Sequence, residues 1–233
     1  MLTAIIVAAG SSQRMGFDKL FATIAGKPLI AHTLDAFERA SSVSEIIVVA
    51  RGDRHDEIKK IVRAENFQKV HSIIAGGERR QDSVRAGLGR PSADAKYIAV
   101  HDAARPLITP EQIERVFERC QKHEAAALAE PVNDTIKRAG ANLVVTDSVD
   151  RHQLYVMQTP QVFARGLIEE AYRVADTENI SLTDEVSAVE RFGHKVVLVL
   201  NDDFNFKITY PRDLALAEFV LKQRHTPSAN GRA

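Results

Sequence analysis

The chain is short of cysteine and has no excess of either charge, and these shortages exclude several classes of protein. Cys120 is the single cysteine among 233 residues, so no intrachain disulfide framework can form. It falls in a helical pattern with apolar neighbours, which predicts a buried structural thiol rather than a nucleophile. Lys and Arg number 31, as do Asp and Glu, so the formal net charge is zero. Because nucleic-acid-binding proteins usually carry a basic excess, we expect no nucleic-acid partner.

Long apolar runs are missing as well. No run approaches the ~20 residues needed to span a bilayer, so no membrane partner is expected. The N-terminus has no basic region ahead of its apolar stretch and therefore predicts no signal peptide. Together these features predict a soluble, cytoplasmic protein.

The sequence also lacks the motifs of several common enzyme classes. After Gly10 the next glycine is Gly16, so there is no GxGxxG pattern, and a nicotinamide cofactor is disfavoured. There is no Walker A sequence, no Cys/His spacing typical of a metal site and no Ser-His-Asp order. Nucleotide binding, if present, must use another arrangement.

What the chain does have is a regular alternation of strands and helices. Predicted strands lie at residues 2–9, 45–50, 70–75, 96–101, 126–130 and 195–200. Amphipathic patterns predict helices at 28–41, 54–66, 81–88, 110–123, 166–176, 184–192 and 211–224. Segments 5–7 and 46–49 are apolar at every position, as expected of a parallel sheet covered by helices on both faces. The sequence predicts an α/β fold with three layers and a doubly wound, mostly parallel sheet, forming one domain over 1–224. The polar tail 225–233 is predicted to be disordered.

Residues 131–163 break this alternation. Two short apolar segments flank a turn at 139–142, which predicts an inserted β-hairpin. Ile136, Leu143 and Val145 would need a surface to pack on. A second subunit related by a twofold axis would supply one; the alternative is that the hairpin folds back on its own domain. We expect a dimerisation arm at about 131–161.

The first strand runs into a loop that suits phosphate binding. The strand ends in Ala8-Ala9-Gly10, and the loop then carries Arg14 and Lys19. Small residues let backbone N–H groups approach a ligand closely, and the two cations lie where phosphate charge would sit. The alternative is an ordinary turn with two solvated cations.

A second loop follows the third strand. Gly76 and Gly77 could admit a flat base against the backbone, and Ser83 lies near the start of a helix. The alternative for Ser83 and its neighbour Asp82 is helix capping.

Two further loops bring a carboxylate and a cation. Asp102 follows an apolar strand and could face a ribose or a metal ion, or it could pair with Arg105 to fix the loop. Lys207 stands between apolar residues, and the alternative is a cation at a sheet edge. Because the carboxyl ends of parallel strands share one edge, we expect Asp102 and Lys207 to meet Arg14 and Lys19 there. Three cations and one carboxylate suit a nucleoside triphosphate with Mg²⁺.

These residues resemble the 2-C-methyl-D-erythritol 4-phosphate cytidylyltransferases of the non-mevalonate isoprenoid pathway, over residues 8–218. The fold of that family is similar to that of the nucleotide-diphospho-sugar transferases. The ordered set of motifs carries the resemblance: Ala8-Ala9-Gly10, Arg14-Met15-Gly16 with Lys19, Gly76-Gly77 with Asp82-Ser83-Val84, His101 to Pro106, Pro131 to Lys137, Gln158 to Phe163, Thr183-Asp184-Glu185 and Lys207-Ile208-Thr209.

The resemblance implies transfer of a cytidylyl group from CTP to the polyol phosphate 2-C-methyl-D-erythritol 4-phosphate, with release of pyrophosphate. It also implies Mg²⁺ and a homodimer formed through the arm. The implied catalytic residues are Arg14, Lys19 and Lys207. The implied CTP-binding residues are Ala8, Ala9, Gly10, Gly77, Ser83, Asp102 and Ala103. The implied residues for the polyol phosphate are Arg105, Thr135, Arg151, Thr159 and Thr183. Asp102 is also the implied protein ligand of a Mg²⁺ ion held mainly by phosphate.

The sequence departs from the family pattern at the end of the first loop. Members often carry Pro-Lys-Gln where Asp18-Lys19-Leu20 stands here, and this loop is short. Two other functions stay open at this point. Ribitol-5-phosphate cytidylyltransferases share much of the pattern, and a nucleotide-binding regulator without turnover would share the fold.

Overall fold

The computed structural model of the chain describes residues 1–11 and 13–225. The described residues contain eleven strands: β1 (Leu2–Ala8), β2 (Thr23–Ile24), β3 (Lys27–Pro28), β4 (Val43–Ala50), β5 (Val70–Ala75), β6 (Tyr97–Asp102), β7 (Ala125–Pro131), β8 (Ile136–Ala139), β9 (Val145–Val149), β10 (Tyr155–Ala164) and β11 (Val197–Leu200). They contain seven α-helices: α1 (Leu29–Arg39), α2 (His55–Ala64), α3 (Arg80–Leu88), α4 (Pro110–His123), α5 (Arg165–Thr177), α6 (Glu185–Arg191) and α7 (Pro211–His225). The predicted tail lies outside the described residues, except His225, which ends α7.

Seven strands form the central sheet, in the order β11-β7-β10-β6-β1-β4-β5. All neighbouring pairs are parallel except the two pairs made by β10, which runs antiparallel to both β6 and β7. The predicted three-layer, mostly parallel architecture is therefore confirmed.

The two faces of the sheet build two apolar layers. Along β1, Ala4 and Ile6 join one cluster with α1, α2, α4 and α7, whereas Ile5 joins the other with α3, α5 and α6. This alternation follows from the pleat of a strand, which points successive side chains to opposite faces. Cys120 is fully buried in the first cluster, and burial raises the pKa of its thiol to about 12, as expected of a structural cysteine.

Strand β10 is a correction to the predicted boundaries of the arm. Residues 155–161 were expected within the arm, but they belong to β10, which lies inside the central sheet between β6 and β7. Its ladder with β7 is irregular between Met157 and Gln161, around Pro160, which has no N–H to donate. Its polar residues and proline hide the apolar pattern that normally predicts a central strand.

The hairpin itself is shorter than expected. Strands β8 and β9 pair antiparallel as a separate two-stranded sheet, and residues 136–149 are called the arm below. Leu143 is 86% exposed, and Val144 and Val145 are more than half exposed. The part of the chain that the structure describes contains no helix long and apolar enough to cross a membrane.

Candidate active site

A cleft of about 470 Å³ opens at the edge of the sheet where β1, β4 and β6 end. Its position follows from the parallel arrangement, which gathers the loops after these strands. The cleft is lined by Val7, Ala8, Ala9, Gly10, Ser11, Lys19, Leu20, Arg51, Gly77, Glu78, Arg79, Arg80, Ser83, Asp102, Ala104 and Lys207. The structure thus brings together eight of the residues singled out from the sequence: Ala8, Ala9, Gly10, Lys19, Gly77, Ser83, Asp102 and Lys207.

Asp102 is the electrostatic centre of the cleft. Lys207 Nζ donates to its Oδ2 at 2.9 Å, and Arg80 Nε donates to its Oδ1 at 3.2 Å. Arg105 Nε lies 3.7 Å from Oδ2. Burial alone would raise the pKa of Asp102, but the charges of Arg80, Lys207 and Arg105 hold it well below its usual range. The carboxylate is therefore ionised, and it combines the two roles considered from the sequence: it faces the cleft and it pairs with the loop arginine.

Arg80 was missed by the sequence reasoning. Its terminal nitrogens bind both oxygens of Glu185, at 2.6 and 2.9 Å, and Glu185 is fully buried at the start of α6. The Tyr172 hydroxyl donates to the same carboxylate at 3.0 Å. Burial lowers the pKa of Arg80, but the negative charges of Glu185 and Asp102 raise it by more. The guanidinium therefore stays charged. Glu185 ends one of the quoted motifs and Arg80 lies between the two halves of another, but spacing alone does not reveal a contact between α3 and α6.

Lys19 lies next to Lys207 in space. Its ammonium donates to the carbonyl oxygen of Ile208 at 2.6 Å. Burial lowers the pKa of Lys19, and the nearby positive charges of Lys207 and Arg14 lower it further. These cations repel one another, so an anionic ligand bound between them would be stabilised by their charge.

A buried ion pair fixes the loop that carries Lys19. Arg54 is 2% exposed; its Nε donates to Asp18 at 2.5 Å and its NH1 donates to the carbonyl of Ala8, also at 2.5 Å. Asp18 in turn caps the short 3₁₀ turn Lys19–Phe21 by accepting from Leu20 N. Asp18 stands where family members often carry proline, and through Arg54 it links the first loop to the end of β1.

Arg14 does not line the cleft. It is exposed, and its guanidinium lies 5.6 Å from the ring centre of Tyr210. Its effect on the pKa of Lys19 places its charge near the cleft. In this structure Arg14 is a rim residue rather than a wall residue.

The glycine pair brings α3 close to β1. Gly77 N donates to Ser83 Oγ at 3.2 Å, and a Cβ on Gly76 would stand 2.6 Å from that of Ala9, so a side chain is excluded there. Asp82 accepts from the backbone of Arg79 at 3.1 Å, which is the capping role considered from the sequence. Ser83 is buried against Gly77 rather than projecting freely into the cleft.

Two predicted binding residues lie behind the cleft wall. Thr159 is 4% exposed; its hydroxyl accepts from Asp102 N at 3.1 Å and bonds His101 Nδ1 at 3.0 Å. Ala103 is 1% exposed, and Ala104 takes its place on the wall. Burial lowers the pKa of His101 to about 3, so its ring is neutral and can accept the Thr159 proton. A hydroxyl committed in this way supports Asp102 and is not free to bind a polyol.

The other residues predicted for the polyol phosphate lie outside the cleft. Arg105 NH1 donates to the carbonyl of Asn205 at 2.8 Å, while its Nε has no hydrogen-bond partner among the described residues. Thr135, Arg151 and Thr183 are exposed. Arg151 donates to the carbonyl of Asn133 at the base of the arm. One chain therefore does not gather this second group of residues.

The described residues contain no cluster of three or more His, Cys, Asp or Glu side chains that could hold a metal ion. The cleft itself offers the carboxylates of Asp102 and Glu78. This donor set fits a Mg²⁺ ion that takes most of its ligands from phosphate and water, because that ion needs few protein ligands.

The fold and the cationic cleft at the carboxyl edge of its sheet define an α/β nucleotidyltransferase. The family model for 2-C-methyl-D-erythritol 4-phosphate cytidylyltransferase matches residues 2–223. The chain belongs to this family, and it is a cytidylyltransferase of the non-mevalonate route to isoprenoids.

Relatives and solved structures agree over nearly the full length. The chain is 38% identical over 224 residues to the 2-C-methyl-D-erythritol 4-phosphate cytidylyltransferase of Halalkalibacterium halodurans, covering 95% of this chain and 97% of the relative. It is 41% identical over 221 residues to that of Dehalococcoides mccartyi strain CBDB1, covering 94% and 96%. The crystal structure of 4-diphosphocytidyl-2C-methyl-D-erythritol synthase from Anaerococcus prevotii matches with a TM-score of 0.83 at 28% identity, covering 95% and 98%.

Proposed function

We propose that this chain transfers the cytidylyl group of CTP to 2-C-methyl-D-erythritol 4-phosphate. The products are 4-diphosphocytidyl-2-C-methyl-D-erythritol and pyrophosphate. The observation that carries the proposal is the meeting of Lys19, Lys207 and Asp102, from three separate segments of the chain, beside the small residues that end β1. Family membership and the names of the relatives support the choice of substrates.

The reaction is an in-line displacement at the α-phosphorus of CTP. An oxygen of the polyol phosphate attacks that phosphorus, a new P–O bond forms, and the bond to the β-phosphate oxygen breaks with its electron pair leaving on pyrophosphate. No covalent enzyme intermediate is required, so no nucleophilic side chain is needed. The chain contributes position and charge stabilisation.

The cations divide this work. Lys19, with Arg14 from the rim, holds the triphosphate and stabilises the charge of the transition state. Lys207 steers the attacking phosphate beside the α-phosphoryl group. The backbone of residues 8–10 and the Gly77–Ser83 contact receive the ribose and the cytosine edge, where N–H and C=O groups of a rigid loop can distinguish bases.

Mg²⁺ is the metal we propose. It would be held mainly by the phosphates of CTP, with Asp102 as its protein ligand. When bound it neutralises phosphate charge and so favours attack by a second anion.

Residues that flank the arm, together with Thr183 ahead of α6, supply the remainder of the polyol-phosphate site in this proposal. The Nε of Arg105 is buried 3.7 Å from Asp102 Oδ2, so Arg105 contributes positive charge beside the substrate rather than a hydrogen bond from that atom. Thr135 and Arg151, which flank the arm, reach a substrate when a second subunit packs its arm against the first. The exposed Leu143, Val144 and Val145 give that subunit an apolar surface. We therefore propose a homodimer formed through the arm. We also propose a cytoplasmic location, since that is where CTP is available.

A pyrophosphate-release screen tests the function. CTP and Mg²⁺ are supplied with methylerythritol phosphate, ribitol 5-phosphate or simple sugar phosphates, and kcat/KM is compared. We expect methylerythritol phosphate to be preferred. A preference for ribitol phosphate would change the substrate and leave the mechanism, whereas no release with any acceptor would indicate a binding protein without turnover.

A further inference from the structure

Arg80 has a fixed position between two carboxylates. Its planar fork holds both oxygens of Glu185 at 2.6 and 2.9 Å, which leaves Nε directed at Asp102 Oδ1 at 3.2 Å. Such bidentate pairs are geometrically specific. Tyr172 and the start of α6 hold Glu185 in turn. Arg80 is therefore anchored on the side away from the cleft and presents its third donor to the cleft.

Lys207 shares Asp102 with Arg80 but is held less firmly. It donates to Oδ2 at 2.9 Å, and its side chain is 40% exposed against 10% for Asp102. A long, flexible ammonium side chain can move to another anion, whereas the anchored guanidinium cannot. A buried carboxylate without a partner is strongly unfavourable, so Lys207 can leave Asp102 only if Asp102 keeps another cation. Arg105 Nε lies 3.7 Å from Oδ2, beyond hydrogen-bond distance, whereas Arg80 Nε donates to Oδ1 at 3.2 Å and would stay bonded.

We propose that Arg80, anchored by Glu185, is a positioning residue that keeps Asp102 paired while Lys207 turns to a phosphate group of the bound substrates. The idea rests on the proposed function, because it assumes that Lys207 serves phosphate. In this role Arg80, held by Glu185, is a permanent counter-ion of Asp102. Neither residue needs to touch the reacting atoms.

The decisive variant removes this pair without changing the net charge. Arg80→Gln together with Glu185→Gln removes one positive and one negative charge and leaves two amides that can still bond each other. A general loss of attraction for anions therefore cannot explain a defect. The single variant Arg80→Gln is less suitable, because it leaves Glu185 buried and unpaired and can unfold the protein.

The readouts are the CTP affinity by calorimetry in EDTA, so that no divalent cation compensates Asp102, and the KM for methylerythritol phosphate with Mg²⁺. We expect the paired variant to weaken at least one of them by about tenfold, the loss typical of a hydrogen bond to a charged group. A loss of CTP affinity would show that Lys207 turns to the triphosphate, and a raised KM for methylerythritol phosphate would show that it turns to the polyol phosphate. Arg80→Lys, which keeps the charge but cannot reach both carboxylates, should show a smaller loss in the same readout.

A double-mutant cycle with Asp102→Asn separates this role from a structural one. If Arg80 acts by balancing the charge of Asp102, removing the pair from an Asp102→Asn background should cause no further loss. Arg85→Gln is the matched control on the same helix, since Arg85 pairs with Asp176 outside the cleft, and it should leave both readouts unchanged.

Unchanged affinity and KM in the paired variant, with Asp102 intact, would overturn the proposal, and so would equal losses in both backgrounds. Failure of the proposed function would look different, because wild-type protein would then release no pyrophosphate with any polyol phosphate.

Discussion

The cleft and the arm differ in how far a single chain satisfies their side chains. In the cleft the central carboxylate has partners that are distant in the sequence, since Asp102 pairs with Arg80 and Lys207. In the arm the apolar side chains face solvent, and Leu143 is 86% exposed. A single chain completes the first region and leaves the second without a surface to pack on.

This difference separates two roles: the cleft holds the charged groups proposed for catalysis, and residues beside the arm are proposed to select the polyol phosphate. Interlocked ion pairs fix Arg80 and Asp102 in the cleft before a ligand binds, so that Lys207 is the group that has to turn. Thr135 and Arg151, which flank the arm, need a neighbouring subunit in our proposal, so affinity for the polyol phosphate should depend on assembly. Each prediction below perturbs one region and asks whether the other responds.

The largest expected effect comes from breaking the buried pair behind the cleft. Arg54→Met should lower the free energy of unfolding by about 3–5 kcal/mol, because it leaves Asp18 without its partner and the carbonyl of Ala8 unpaired. Urea denaturation measures the loss. Arg173→Met, which removes an exposed pair with Glu170, is the control and should have a much smaller effect. Equal losses in the two variants would contradict a clamping role for Arg54.

The next largest effect is on turnover. Lys19→Ala, Lys207→Ala and Arg14→Ala should each lower kcat by about 10²-fold or more with the fold intact, as does the loss of a transition-state charge donor. Lys59→Ala on the outer face of α2, where Lys59 pairs with Asp56, should leave kcat unchanged. Steady-state kinetics with CTP and methylerythritol phosphate decide the matter, and near-normal kcat in any of the three would remove that residue from the mechanism.

The convergence of the cleft could be anticipated from the sequence because it depends on a general rule. Loops after parallel strands meet at one edge, so Lys19, Gly77, Asp102 and Lys207 could be placed together without knowing any contact. The Arg80–Glu185 pair could not, since it depends on how α6 is docked against α3. The sequence also could not show whether the hydroxyl of Thr159 bonds a ligand or, as the structure has it, Asp102 N and His101 Nδ1.

Strand β10 is a feature of the fold, rather than of the site, that the sequence did not predict. Its residues share the central sheet with apolar neighbours, yet Gln158, Pro160 and Gln161 interrupt the pattern on which strand prediction relies. Gln161 is buried because it accepts from the backbone N–H groups of Glu185 and Val186 at 3.1 Å each. A polar side chain that caps a helix inside the core has no signature in hydrophobic periodicity.

The arm gives the third prediction. Replacing Ile136 and Val145 together by Asp should weaken subunit association by about tenfold or more, because charge would be desolvated in the interface. Phe219→Asp, at an exposed apolar residue on α7, is the matched control and should leave association unchanged. Sedimentation at several concentrations measures the effect. Wild-type protein that is a monomer at micromolar concentration would rule out the homodimer.

A fourth prediction joins the two regions. Arg151→Ala should raise KM for the polyol phosphate by about tenfold while KM for CTP changes little, since a bidentate donor to phosphate is lost. Mixing this variant with Lys19→Ala should restore activity, because one subunit would then carry an intact cleft and its partner an intact arm. Mixtures no more active than their components would show that the arm does not act across subunits.

The smallest effect is expected at the base. Ser83→Ala should reduce the preference for CTP over UTP and ATP only two- to tenfold, since one neutral hydrogen bond to Gly77 is lost. The ratio of kcat/KM values measures it. Equal kcat/KM for the three nucleotides in wild-type protein would count against cytosine recognition in this cleft.

The most direct test of the account is to identify the product by ³¹P NMR after incubation with CTP, Mg²⁺ and methylerythritol phosphate. The account predicts two coupled resonances from a new diphosphate diester, together with inorganic pyrophosphate in equal amount, and neither with Lys207→Ala on the same timescale. Formation of CMP or CDP without the diester, or no consumption of CTP at all by wild-type protein, would contradict it.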